Sequence, residues 1–162
     1  MFGTLRAKGE RGATLVEFAM AVPVFLLLVF GLIEFSRLMS AHSAVETAAR
    51  ESARYGSATG LSPNGLPRYV DCGAIRQAGI RTAVAVHLED KDLEIWYDRG
   101  PGTDSTGACP VGAAGPAPEL IEGGDRIAVT VTAKFNSVIP LIGQFIGDHT
   151  ITATDMRTIV KE

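Results

Sequence analysis

The sequence predicts an α+β protein: one long N-terminal helix, transmembrane in its first half and amphipathic in its second, then a small domain with a short helix and about three antiparallel strands. Three observations carry this expectation. Residues 13–33 form a largely apolar run with one charge, Glu17. Beyond them, small and apolar residues recur at alternating steps of three and four. Near the C-terminus, residues 126–135 alternate apolar and polar with a period of two.

The apolar run comes first. As a helix rising about 1.5 Å per residue it spans roughly 31 Å, matched to a hydrocarbon core of about 30 Å. Arg6, Lys8 and Arg11 precede it against a single Glu10, while the other flank begins Glu34-Phe35-Ser36-Arg37, so the positive-inside bias keeps the N-terminus cytoplasmic. Everything after residue 36 is then expected outside. A cleaved secretory signal peptide is the main competitor, because Ala19-Met20-Ala21 fits a small-x-small pattern. Its position argues against it: a signal peptidase site follows the apolar stretch, whereas here the strongest apolar run, residues 24–33, comes after. Pro23 frees the carbonyl of Ala19 and is a candidate packing bend, while Gly31 either admits a neighbouring helix or faces lipid.

Glu17 is the anomaly in this run. A charge at the centre of a membrane helix costs about 3 kcal/mol on insertion scales and less near an interface, so an intramembrane carboxylate calls for a partner. Were the chain cut after Gly12, Ala13 would carry a new α-amino group. In parallel, axially staggered helices, that cation on one subunit reaches Glu17 of a neighbour, removing two costs together and setting a register. The plain alternative is an anchor whose Glu17 snorkels to the cytoplasmic interface.

The string Arg11-Gly12-Ala13-Thr14-Leu15-Val16-Glu17-Phe18 resembles the processing site of type IV pilin-like proteins, more narrowly that of tight-adherence (Tad, Flp-type) pilus systems. Together with Pro23, Phe30-Gly31-Leu32-Ile33-Glu34-Phe35-Ser36-Arg37 and Ala48-Ala49-Arg50-Glu51-Ser52-Ala53-Arg54-Tyr55, it is similar to the TadE-like family of minor pilins or pseudopilins. The resemblance is dense over residues 9–56. Farther on, only Pro140-Leu141-Ile142-Gly143 and Ala153-Thr154-Asp155-Met156-Arg157 carry it. It implies a pilin-like fold, a basic cytoplasmic leader at residues 1–12 and cleavage by a prepilin peptidase between Gly12 and Ala13. It also implies that Glu17, followed by Phe18, is the carboxylate used in assembly. The implied partners are that peptidase, other pilins or pseudopilins, the Tad assembly platform and membrane lipid. The implied location is the bacterial inner membrane, single-pass, with incorporation in the pilus as one possible fate.

The chain then divides into residues 13–36 as the transmembrane helix, 37–57 as its exterior continuation and 58–162 as the exterior α+β domain. In the continuation, Leu38, Ala41, Val45, Ala48, Ser52 and Tyr55 form one narrow stripe, and Glu34, Arg37, Glu46, Arg50, Glu51 and Arg54 occupy the other faces. The stripe packs either on the chain's own domain or on neighbouring subunits. Glycines and prolines from residue 56 to 67 end the helix. Residues 73–87 read as a second helix and residues 93–97 as a strand, followed by a Gly/Pro-rich loop over residues 99–124. Residues 126–135 form the clearest strand, with 150–160 as its partner, although Asp155 breaks the alternation there.

With 162 residues, 46% of them hydrophobic, the chain has material for one modest core beyond the apolar run. A net charge of -3, with no basic patch interleaved with aromatics, argues against a nucleic-acid partner. Cys72 and Cys109 both follow the apolar run, so on an exported side they read as a disulfide; two free thiols are the alternative. No metal, cofactor or small-molecule substrate is expected. His42, His87 and His149 are scattered outside any ligand motif, no Gly-x-Ser-x-Gly occurs, and residues 100–107 lack the Gly-Lys ending of a phosphate loop. Glu89, Asp90, Asp92 and Glu94 lack the glycine and terminal Glu of an EF-hand. The chain is therefore expected not to be an enzyme. Two functions remain: a TadE-like minor pilin or pseudopilin, or an uncleaved anchor presenting a small exterior binding domain.

Overall fold

An apolar run followed by an alanine-rich stretch, with no glycine between positions 31 and 56, favours one uninterrupted helix. The computed structural model, which describes residues 7–112, 115–139, 147 and 149–161, with side chains from residue 12 onward, has that helix, α1 (Ala7–Ser57), continuous through Pro23. It ends at the predicted breakers. Its outer half buries Ala41, Ala44, Val45, Ala48, Ala49, Ser52 and Ala53, with Leu38 and Tyr55 half-buried at the ends of the stripe. Small side chains let the helix axis approach its neighbours closely. At Gly56 an added Cβ would meet the terminal methyl of Ile127, and crowd Ile75, so a larger residue there would require the isoleucine side chains to shift.

The remaining elements are α2 (Cys72–Ile80), β1 (Leu93–Asp98), β2 (Ser105–Cys109), β3 (Arg126–Phe135) and β4 (His149–Thr158). The strands form one antiparallel sheet in the order β2-β1-β3-β4. This is the expected α+β arrangement with one strand more than foreseen, because β2 lies inside the stretch read as a loop. On β3 the alternation is realised: Ile127, Val129, Val131, Ala133 and Phe135 are buried on the helix side. Each fully buried branched side chain of this kind contributes about 1.5–3 kcal/mol. On the opposite face, threonines pair across strands, Thr130 with Thr154 at 2.9 Å and Thr132 with Thr152 at 3.4 Å.

Two expectations need correction. The second helix stops at Ile80 rather than at residue 87, because the Thr82 hydroxyl and backbone N–H both bond to the Gly79 carbonyl and turn the chain. Gly79 itself is pressed against Ser52 and the Ala48 carbonyl, where a Cβ has no room. Asp155 breaks the alternation of β4, as expected, without ending the strand. It lies on the edge strand β4, opposite Val129, and accepts from Arg157 at 3.1 Å, a charged inner position of the kind that keeps an edge from pairing with another chain. Glu34, read as part of a polar face, is buried, as described below. The Pro140-Leu141-Ile142-Gly143 motif lies outside the described residues.

Cys72 and Cys109 form a disulfide with 5.6 Å between their Cα atoms, joining the start of α2 to the end of β2. The same corner holds two buried polar side chains. Arg76 donates from Nε to the Leu93 carbonyl at 3.3 Å and from Nη2 to the Cys109 carbonyl. The Tyr97 hydroxyl donates to the Tyr69 carbonyl at 2.6 Å and lies 3.2 Å from Cys109 Sγ; burial pushes its pKa up. At the start of α2, Asp71 accepts from the Ala74 N–H at 3.0 Å and from Asn64 at 2.9 Å. Burial alone would raise its pKa, but these bonds and one from Ser62 hold it below the ordinary value.

Candidate functional site

Residues 12–18 lie near the start of α1, far in sequence from the part of the helix that the sheet covers. Residues 12–20 are all exposed, Phe18 at 67%. The helix runs through the Gly12–Ala13 bond, and among the described residues nothing lies within 4 Å of where a Cβ on Gly12 would sit. Ala13 and Glu17 are four residues apart, so they share one helix face a single turn apart. The sequence-predicted residues are thus brought together by helical spacing alone. Cys72 and Cys109 belong to a separate place, the disulfide corner of the domain.

From residue 13 to 33 most of the apolar side chains are left uncovered by the described residues: Leu15, Val24, Phe25, Leu28 and Leu32 are all exposed. Such a face in water would be far larger than the apolar patches soluble monomers tolerate. As a helix of sufficient length, it fits a membrane anchor.

Sequence reasoning missed what happens where this face ends. Glu34 is 2% exposed, its Oε2 accepting from Arg37 Nη1 at 3.0 Å and its Oε1 from the Val138 backbone N–H at 3.2 Å. The Arg37 guanidinium also sits 5.5 Å over the Phe135 ring. Helix and sheet are therefore clamped together at the last turn of the apolar run. A glutamate closing an apolar stretch with an arginine three positions on was the available signal. Its second partner, more than a hundred residues away, left none in the local pattern.

The other polar groups singled out in the sequence have local roles. Glu89 and Asp92 cap the 3₁₀ turn Asp90–Asp92, and Lys91 pairs with Glu89 at 2.5 Å. His42 lies 3.4 Å from Glu46, which also reaches Arg50 at 4.0 Å. Among the described residues, no group of three or more His, Cys, Asp or Glu is placed to hold a metal ion.

Fold and helix together define a small α+β domain carried on one long helix whose first half fits a membrane anchor. Within that class the N-terminal part is similar to one family: residues 12–54 match the family described as TadE-like protein. The match begins at Gly12 and ends near the close of α1. No curated protein and no solved structure matches the chain.

Proposed function

We propose that this chain is a minor pilin or pseudopilin that takes part in assembling a Tad (Flp-type) pilus and is trimmed by a prepilin peptidase between Gly12 and Ala13. It is a building or priming part and not an enzyme; the chemistry belongs to the peptidase that cuts it and to the platform that moves it. It sits in the bacterial inner membrane as a single-pass protein, residues 1–12 cytoplasmic and the sheet domain periplasmic or extracellular. The observation that carries this reading is the coincidence at Gly12. The TadE-like match starts there, the stretch is exposed, and Glu17 stands one turn beyond the amine that trimming would create. The disulfide supports export, since such bridges persist in oxidising compartments.

In assembly, the Ala13 amine of one subunit pairs with Glu17 of its neighbour. Each charge alone would be costly in an apolar bundle, so the pairing stabilises one axial offset between helices over others.

Mass spectrometry of the chain from cells containing a compatible prepilin peptidase is expected to find Ala13 as the first residue. Gly12→Ala should abolish trimming without disturbing the fold, because the added methyl meets none of the described residues. A chain still starting at Met1 in such cells would favour the uncleaved anchor with an exterior binding domain. Glu17→Ala should leave membrane insertion intact and deplete the protein from filaments or assembly complexes; unchanged incorporation would remove the charge-pairing argument.

A further inference from the structure

We propose that the end of the sheet domain beside Glu34 rests in the headgroup layer of the bilayer, with Val138 in the lipid interface and Lys134 on anionic headgroups. This rests on the reading of residues 13–33 as a membrane span. If those residues fill a hydrocarbon core of about 30 Å, residue 34 lies at its boundary, and a headgroup layer of roughly 5–7 Å reaches about four residues farther up the helix. The Glu34 clamp fixes the sheet at that level. Val138 donates its N–H to Glu34, and Phe135 lies under Arg37, so the chain leaving β3 is held at the boundary.

What it presents there is suited to lipid. Val138 is 68% exposed and Phe35, the residue after Glu34 in the helix, is 60% exposed. Lys134 is exposed and lines a surface cleft together with Ser36, Arg37 and Phe135. Arg37 is committed to Glu34, which leaves Lys134 to face headgroup phosphate. By sequence, no charge occurs between Lys134 and Asp148. An apolar contact at the boundary with a lysine just above it is the arrangement of interfacial protein segments. The apolar face of α1 continues directly into this surface, and that continuity selects lipid as the occupant.

The test uses the full chain, with its disulfide intact, in vesicles of phosphatidylcholine with or without phosphatidylglycerol. An environment-sensitive fluorophore is placed on Val138→Cys and, in separate samples, on Leu27→Cys in the span and on Asp104→Cys. The last lies beyond the Asp98–Arg126 end of the sheet, which is the end nearer Gly56 and so the far end from Glu34. Brominated lipid should quench position 138 at least about twofold more than position 104, as an interfacial site requires, and position 27 most of all. In vesicles with phosphatidylglycerol, Lys134→Glu should reduce the quenching at 138; in phosphatidylcholine alone it should not. Quenching at 27 with none at 138 overturns the proposal and leaves the span intact. A label at 138 shielded from both brominated lipid and aqueous iodide also overturns it, by revealing a protein neighbour. No effect of Lys134→Glu in either vesicle overturns the headgroup contact. Absence of quenching at 27 would instead refute the membrane span, and this proposal with it.

Discussion

Replacing Cys72 and Cys109 together by alanine is expected to lower the stability of the sheet domain by about 4 kcal/mol. The bridge spans 37 residues, and in the chain-entropy model closing a loop of that length restricts the unfolded chain by roughly this amount. Within the loop lie the whole of α2, β1 and the turn into β2, so the reduced unfolded chain regains the freedom of most of the domain's first half. The folded state loses packing as well. Both cysteines are buried, and Gly115 lies so close to Cys72 Sγ that a Cβ there would meet it at 2.8 Å. Against a typical total of about 5–15 kcal/mol, the loss takes a large share of the stability. Urea unfolding of the full chain in detergent, followed by the fluorescence of Trp96, the sole tryptophan, reads it directly. The midpoint should fall and the slope should rise, as the unfolded state expands. A loss below about 1 kcal/mol would mean that Arg76 and Tyr97 hold the corner without the bridge.

Those two residues also show where sequence reasoning stops. α1 was legible from end to end because its signals are local: an apolar run, a small-residue stripe, then breakers. β3 was legible because five alternating side chains face one helix. β2 was not, since Ser105-Thr106-Gly107-Ala108-Cys109 has no apolar alternation. It becomes a strand through its pairing with β1 and through the bridge and Arg76 at its end, contacts that no window of sequence contains. The overlong second helix failed in the opposite way. Residues 81–87 are compatible with a helix in composition, but one threonine bonding back to Gly79 ends it. Asp155 was visible only as a defect until its edge position gave it a reason. Of the candidate site, the pattern of residues 12–18 is written in adjacent positions, and the structure adds that these residues are helical and exposed. The Glu34 clamp was half legible: Arg37 is local, but Val138 is brought there by the sheet.

Asp98→Ala is expected to cost about 2 kcal/mol at neutral pH, the range for hydrogen bonds to a buried charged group. Asp98 ends β1 with its side chain 3% exposed, and takes both arms of Arg126 across the strand pair, at 2.7 and 2.9 Å. The same carboxylate accepts the Gly100 N–H at 3.0 Å, holding the turn into β2. Removing it leaves that turn and the guanidinium without their acceptor. Arg126 is partly exposed, so water recovers some of the loss, which keeps the figure below that of a fully buried pair. The pH dependence follows from the direction of the shift. The Arg126 hydrogen bond, ahead of opposing burial, lowers the Asp98 pKa from its ordinary value. A carboxylate lowered on folding contributes its full stability above the unfolded value of about 3.9 and loses it as pH falls through the folded value. The native domain should therefore weaken steeply below about pH 4, where Asp71, shifted in the same direction, adds to the slope. Asp98→Asn keeps the shape, removes the titration and should flatten the acid limb while lowering the neutral plateau. Equal acid slopes in the two proteins, measured by urea unfolding at stepped pH, would show that the Asp98–Arg126 pair does not set the acid stability of this domain.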